Sequence, residues 1–475
     1  MGRMGMFAVA TALFLSAAAS ADAAEYYVDP SAGGAGDGSE GSPWSSVQDA
    51  MDAGDVASGD TVWLMSGDYG ELRIESARNA EPITVAAADG EEPRFTSVLV
   101  RDSSAWTLRG LHVTGESEGY LIDLDGDNEG VQVESCVLMS TADASGWSAQ
   151  DWIDRASNGI GVDGTRMTIR NNLLRNVGYG ISVSADQSLV EGNLIENFSR
   201  DGLRGLGDYS VFQYNTVKNC YAVDDHHDDG FQSWSVGEGG VGTGEVVGVV
   251  LRGNTFINYE DPNQPHRGAL QGIGCFDGTF VDWVVENNVV VTDHWHGITL
   301  LGARNSTITN NTVVDPNQER PGPPWISIDD HKDGTASTGC VVRNNLTTAL
   351  NNSEQVIEEN NITFSMDETA EFFVDLDNGD LHLLEAAAAV DSGMTAGAPE
   401  LDRDLVPRPQ GDGIDVGAYE WHDGSVEPLP PDGGLPRVGP PEVANDSGGC
   451  GVLRGRSLAG GWLVLLVLAA LRRRR

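Results

Sequence analysis

Asn171-Asn172-Leu173-Leu174 is followed by Gly192-Asn193-Leu194-Ile195 and then by Tyr214-Asn215-Thr216-Val217, three versions of one short phrase. Each is a turn residue, an asparagine and a pair of apolar or β-branched residues. The phrase continues as Gly253-Asn254-Thr255-Phe256, Asn287-Asn288-Val289-Val290, Asn310-Asn311-Thr312-Val313, Asn344-Asn345-Leu346 and Asn360-Asn361-Ile362. Its second positions fall 21, 22, 39, 34, 23, 34 and 16 residues apart. A base period of about 22 residues with variable insertions describes stacked coils that carry loops on one side. Asparagine suits the corner of such a coil because it tolerates left-handed backbone, and stacked amides can hydrogen-bond from coil to coil. A leucine-rich repeat has a similar period but needs a fixed leucine pattern, which this chain lacks. The sequence therefore predicts an all-β solenoid of parallel strands.

A second column runs beside the first. Gly159-Ile160, Gly180-Ile181, Gly202-Leu203, Gly230-Phe231, Ala269-Leu270, Gly297-Ile298 and Trp325-Ile326 read as equivalent strand starts, one per coil. If the apolar residue points in, the next points out. Arg204, Gln232, Gln271 and Thr299 then lie on the outer face of successive coils. Asp201, Asp229 and His296 share the position before the glycine, while His227, His266 and His294 share the position four before the inward residue. Coils about 4.8 Å apart let such neighbours touch. Arg200, Arg204, His226, His227, Asp228, Asp229, Gln232, His266, Arg267, Gln271, His294 and His296 are expected to form one patch, walled into a groove by insertions after Trp234 and Tyr259.

The densest part of that patch is Asp224-Asp225-His226-His227-Asp228-Asp229, four carboxylates and two imidazoles in a chain with nine histidines. Such a run is costly to hold in place unless its groups pair, bind metal or do acid/base work. A solvated acidic loop is the plain alternative. Asp225-His226-His227-Asp228 resembles the Asp-Pro-His-Asp motif of mannuronan epimerases, with histidine in place of proline. The resemblance implies proton abstraction at C5 of a uronate, which is also the first step of lyase elimination. His227 would be the base or acid, a task its ordinary pKa suits, and Asp225 or Asp228 would steady the sugar carboxyl.

Asp229-Gly230-Phe231 and His296-Gly297-Ile298 are similar to parts of the polygalacturonase pattern, which implies catalytic roles for Asp229 and His296. The Arg-Ile-Lys motif of that family has no counterpart, and Arg267-Gly268 stands where an acid would be. Asp201 and Asp229, one coil apart, would also sit nearer than the roughly 6.5–9.5 Å that an inverting hydrolase needs. Hydrolysis therefore ranks below elimination or epimerisation. Arg200, Arg204, Gln232, His266, Arg267, Gln271 and His294 are the expected substrate contacts. Asp224, Asp225, Asp228 and Asp229 would suit Ca²⁺ as cofactor, and the histidines would suit Zn²⁺. Trp147, Trp152, Trp234, Trp283, Trp295 and Trp325 lie in or near the loops, where exposed rings would stack on sugars. That holds equally for a non-catalytic glycan-binding or structural surface protein, the second reading.

The flanks fix the setting. Residues 1–24 read as a secretory signal, with Arg3, an apolar run Phe7–Ala19 and small-residue cleavage options at Ala19-Ser20-Ala21 or Ala21-Asp22-Ala23. Glu25–Tyr69, with Val47–Met51 as a short amphipathic helix, resembles the entry cap of secreted right-handed parallel β-helix proteins of the pectin-lyase-like kind. Glu371–Trp421, read as closing the array, resembles a C-terminal segment common in such proteins. The resemblance implies a right-handed parallel β-helix over residues 25–422 with an N-terminal helical cap. Residues 423–449 carry six prolines and read as an extended linker. In residues 450–475, Cys450, the apolar run Leu458–Leu471 and Arg472–Arg475 resemble the C-terminal sorting signals of myxobacterial surface proteins. That implies processing at Cys450 by a sorting protease and display at the cell surface, with a plain tail anchor as the alternative. The fourteen-residue run would reach only about 21 Å as a helix, a marginal membrane span.

Without its two ends the chain holds 21 basic and 71 acidic residues. Such a body repels nucleic acid and most polyanions at long range, so an anionic substrate would need a local cluster of arginines. A polysaccharide is the partner that the resemblances imply, for a protein read as a monomer. Export would permit disulfides among Cys136, Cys220, Cys275 and Cys340, with buried free thiols as the other outcome.

Overall fold

The computed structural model describes residues 23–33 and 36–426. The expected leader, all but its last two residues, and the expected linker and C-terminal segment from residue 427 on, Cys450 included, lie outside the described residues. No described helix is long and apolar enough to cross a membrane.

The repeated phrase is a corner, and its two leading residues divide the labour. The first takes left-handed backbone, with φ of 55° at Asn171, 55° at Tyr214 and 52° at Asn310, and glycine serves at Gly192 and Gly253. The second turns its amide along the solenoid axis. Asn172 donates both its backbone N–H and its Nδ2 to Asn193 Oδ1, at 3.0 and 2.9 Å. The same pair of bonds repeats from Asn193 to Asn215, Asn254, Asn288, Asn311, Asn345 and Asn361. Each Nδ2 also reaches a backbone carbonyl of the coil before, as Asn193 does to Ile169 at 2.9 Å. Buried amides are tolerated because nothing in this ladder is left unpaired.

Before and after that corner run two ladders of parallel strands. One holds Thr168–Arg170, Leu189–Glu191, Val211–Gln213, Val250–Arg252, Val284–Glu286, Thr307–Thr309 and Val341–Arg343. The other holds Leu173–Val177, Leu194–Phe198, Thr216–Cys220, Thr255–Ile257, Val289–Val291 and Thr312–Val314. The third ladder, which carries the predicted patch, stacks Asn158–Val162, Ile181–Val183, Leu203–Gly205, Asp229–Trp234, Gln271–Asp277, His296–Leu301 and Trp325–Asp329. Inward residues of all three meet in one continuous core, in which Ile160, Ile181, Leu203, Phe231, Ile273, Ile298 and Ile326 are fully buried. Each contributes about 1.5–3 kcal/mol by leaving water.

One expected strand start is displaced. Phe231 pairs with Ile273, which pairs with Ile298, so Gly272-Ile273, and not Ala269-Leu270, belongs to the column. The reason is the approach of one coil to the next. A Cβ on Gly180 would lie 2.2 Å from the Gly202 carbonyl oxygen, one on Gly230 would lie 2.7 Å from that of Gly272, and one on Gly272 would lie 2.3 Å from that of Gly297. An alanine such as Ala269 does not fit that space. The outward position of this coil therefore falls on Gly274, and Gln271 moves to the column of Asp229.

Near the start, helix Val47–Ala53 is N-capped by Ser46 and buries Val47 and Ala50 beside Val28 and Trp44. The C-terminal segment, expected to close the array, runs back along its side. Phe372, Phe373, Leu381, Leu383, Val416 and Ala418 pack on Val289, Val291, Val314 and Leu346, and Arg403 donates to Thr255. These outer strand positions are apolar because they are covered, whereas the uncovered coils carry Arg175, Glu196 and Lys218 there. Cys136, Cys220, Cys275 and Cys340 are free and buried.

Candidate active site

The patch assembles on the outer face of the third ladder, around His227. Its Nδ1 lies 3.1 Å from Asp229 Oδ2, and Gln232 Nε2 donates to the same oxygen at 2.9 Å. The Asp229 side chain has 0% exposure and that of His227 has 60%. A buried carboxyl thus grips one nitrogen of an open imidazole, whose Nε2 edge is left for whatever enters from solvent. Burial pushes the Asp229 carboxyl well above its ordinary range, with the neighbouring Asp201 adding to the shift. The hydrogen bond that His227 Nδ1–H donates to Asp229 pushes His227 up from 6.5. The two groups compete for one proton.

On the preceding coil, Asp201 accepts from Arg204 Nε at 2.6 Å and from the backbone N–H of Asp229 at 3.1 Å. Arg204 lies over the ring of Tyr179 at 3.5 Å and faces Trp234 at 5.4 Å, and Arg200 lies over Tyr179 at 5.0 Å. The edge of His226 meets Tyr179 at 6.1 Å, and its ring stacks on His227 at 5.3 Å. On the following coils, His294 and His296 lie 5.3 Å apart between ring centres. His296 Nδ1 meets Thr299 Oγ1 at 2.9 Å, and Trp325 Nε1 donates to that hydroxyl at 3.3 Å. Burial lowers His296 to about 4. Burial, then the like charges of His296 and His227, lower His294 to about 4 as well. Both are neutral imidazoles at neutral pH.

Ten of the expected residues gather here or border the site: Arg200, Arg204, His226, His227, Asp228, Asp229, Gln232, Gln271, His294 and His296. Asp228 does so from below, facing Cys220 Sγ at 3.5 Å and His226 Nδ1 at 3.3 Å. Burial raises it to about 6, and it has no open side with which to steady a sugar carboxyl. His266 and Arg267 fall outside, because the three-residue displacement of the strand start takes them with it. His266 Nε2 lies 3.4 Å from the Trp147 carbonyl, and Arg267 pairs with Glu319 over the ring of Tyr259.

Asp224 and Asp225 are exposed while Asp228 and Asp229 are buried, so the four do not form a ligand set. Among the described residues no group of three or more His, Cys, Asp or Glu is arranged to hold a metal ion. Trp147, Trp152 and Trp283 are buried. Trp152 stacks on Tyr221, and Trp283 Nε1 donates to the Val246 carbonyl. The sequence reading missed Tyr179 and Phe276. Tyr179 was legible as the residue before Gly180, in the column of Asp201. Phe276 packs edge-on against His296 at 4.7 Å, in the space that Gly274 leaves open.

The family model described as "Right handed beta helix region" matches residues 158–353. No curated protein sequence matches the chain. Among solved structures, the pectate lyase Pel9A is 15% identical with a TM-score of 0.46, over 84% of this chain and 96% of that one. The A-module of an Azotobacter vinelandii mannuronan C-5 epimerase is 13% identical with a TM-score of 0.33, over 67% and 91%. An alginate lyase from Paenibacillus sp. is 12% identical with a TM-score of 0.36, over 71% and 97%. With its parallel ladders and the matched region, the chain is an all-β, right-handed parallel β-helix.

Proposed function

We propose that this face acts on an anionic, uronate-containing glycan as a lyase or C5-epimerase, with His227 as the base. The observation that carries the reading is the His227–Asp229 pair, an open imidazole whose inner nitrogen is fixed by a fully buried carboxyl. With its Nδ1–H held by Asp229, a neutral His227 presents a lone pair at Nε2. That lone pair takes the C5 proton of the uronate. The electron pair left behind forms the C4–C5 double bond as the C4–O bond breaks, and His227 returns the proton to the departing oxygen. If the C4–O bond holds and C5 is reprotonated on its other face by a second group, the outcome is epimerisation. Arg204 is taken up by Asp201, so Arg200, the second cation over Tyr179, is the one to meet the sugar carboxylate. Asp201 and Asp229 are both buried, which leaves the hydrolase reading without an open pair of carboxyls at these positions.

The test is incubation of residues 25–449 with a panel of uronate polysaccharides, with and without added Ca²⁺, following the ultraviolet absorbance of the unsaturated sugar that only elimination creates. A rise supports elimination. A flat trace with C5 inversion by NMR supports epimerisation. Absence of both removes the enzymatic reading. One observation favours binding without turnover: Trp295 is 46% exposed and lies within 7° of parallel to Trp325 at 6.3 Å, a ready shelf for a sugar ring. Export and surface display belong to the same proposal and rest on residues 1–24 and 450–475.

A further inference from the structure

Two buried oxygens beside His227 lack a hydrogen-bond partner, Asp229 Oδ1 and Gln271 Oε1. They belong to residues paired directly across the strand ladder, and they border one small space. That space exists because residue 274 is glycine. A Cβ there would lie 2.1 Å from Asp229 Oδ1 and 3.0 Å from Gln271 Oε1. Two acceptors brought to one confined space, with only the edge of Phe276 beside them, are an unstable arrangement, since each forfeits its hydration without compensation. A half turn of the Gln271 amide exchanges two groups of equal size and puts an N–H where Oε1 stands. Nothing is lost on the outer side, where Gln271 is partly exposed and its oxygen would accept from water.

We propose that Gln271 is a positioning residue that donates its side-chain N–H to Asp229 Oδ1. With Gln232 and His227 on Oδ2, it completes a cradle of three donors around this carboxylate. Three donors favour the ionised carboxylate over the acid. The proton for which Asp229 and His227 compete then stays on His227, and a neutral His227 keeps its hydrogen on Nδ1 and its lone pair on Nε2. Gly274 is part of the same device, because any larger residue would occupy the position of Asp229 Oδ1. The inference deepens the proposed acid/base reading and rests on it for its functional meaning, but the contact itself is testable without substrate.

The experiment is a pH titration of the full chain, labelled with ¹⁵N-histidine, with the His227 ring nitrogens identified by their loss in His227→Gln. In the native protein His227 should gain its second ring proton at a midpoint above that of an ordinary histidine, and the neutral ring should carry hydrogen on Nδ1. In Gln271→Met, of similar size and without the donor, the proton moves to Asp229. The midpoint for forming the imidazolium then falls, and the neutral ring shifts toward the Nε2–H form. An unchanged midpoint overturns the proposal. So does a rise, which would mean that Gln271 accepts a proton from Asp229.

Should Gln271→Met fail to fold, the native protein still decides the matter. The Gln271 side-chain amide should show one proton that exchanges slowly with solvent, and fast exchange of both protons overturns the contact. The titration reads His227 with no glycan present, so its failure and a failure of the proposed activity are separate results.

Discussion

Two columns of polar residues climb this solenoid, and they are built by opposite rules. In the corner column the same residue recurs from Asn172 to Asn361, and every amide between these two ends both donates to one neighbour and accepts from the other. In the column beside His227 the residue changes at each coil, through Tyr179, Asp201, Asp229, Gln271 and His296, and two of its oxygens are unpartnered. A chain of amides closes on itself only if each coil supplies the same group. A site needs different groups side by side, so it must break that repetition and hold charges and orphaned atoms that the repetition would have satisfied. Buried polarity in the first column is structural, and in the second it is what the proposed acid/base chemistry would draw on.

The sharpest way to break the comparison is to interrupt the regular column. Asn254 Oδ1 accepts two bonds from Asn215, and its Nδ2 donates to the Phe212 carbonyl and to Asn288 Oδ1. Asn254→Ala orphans several buried groups at about 1–3 kcal/mol each, so a loss of about 4 kcal/mol or more is expected from urea unfolding. A loss below about 1 kcal/mol would mean that the ladder is ornament. The mirror experiment is His227→Ala. It should lower turnover about a hundred-fold or more and leave the melting temperature nearly unchanged, because the ring is largely exposed. If that variant lost stability as Asn254→Ala does, the two columns would not be separable.

Acid sharpens the same contrast. His294 and His296, lowered to about 4 from 6.5, stay neutral in the fold while the unfolded chain takes up protons. Between those values the unfolded state binds more protons, so their contribution falls as pH falls. A buried carboxyl opposes this. Asp228, lifted to about 6, takes up a proton in the fold before it would in the unfolded chain, which adds stability on acidification. The two contributions act against each other between pH 7 and 4. Removing the histidines, in His294→Gln with His296→Gln, should leave the carboxyl part alone, and the variant should hold or gain stability over a range where the native protein loses it.

The regular column was fully legible in the sequence, because repetition is a statement that the same environment recurs. Asn at two adjacent positions encodes both the left-handed corner and the axial amide, and the structure uses each as its chemistry suggests. The site was legible where the coil period was undisturbed, from Asp201 through Asp229 and Gln232. It blurred at the insertion after Tyr259. Both Ala269-Leu270 and Gly272-Ile273 offer a small residue before a branched one, and only the close backbone approach at Gly272 decides between them. That three-residue step removed His266 and Arg267 from the site and gave Gln271 a neighbour instead of a substrate. The four aspartates do not stand together for a related reason. Four aspartates close in sequence at the edge of a strand are divided between solvent and core, which spacing in an irregular loop does not reveal.

The gentlest test asks whether the irregular face binds sugars by shape as well as by charge. Trp325 is fixed, since its Nε1 reaches Thr299 and its ring meets His296 edge-on at 5.3 Å. Trp295 lies parallel to it and remains open to solvent. Trp295→Ala should therefore change stability by no more than about 0.5 kcal/mol. Loss of one aromatic face against a sugar ring is worth about 1 kcal/mol, or about a five-fold weaker dissociation constant by calorimetry with uronate oligosaccharides. If turnover exists, a KM raised by a similar factor at unchanged kcat assigns the shelf to ground-state binding. A fall in kcat alone would instead tie Trp295 to the placing of His294 and His296, and would make the shelf part of the chemistry that the regular column supports.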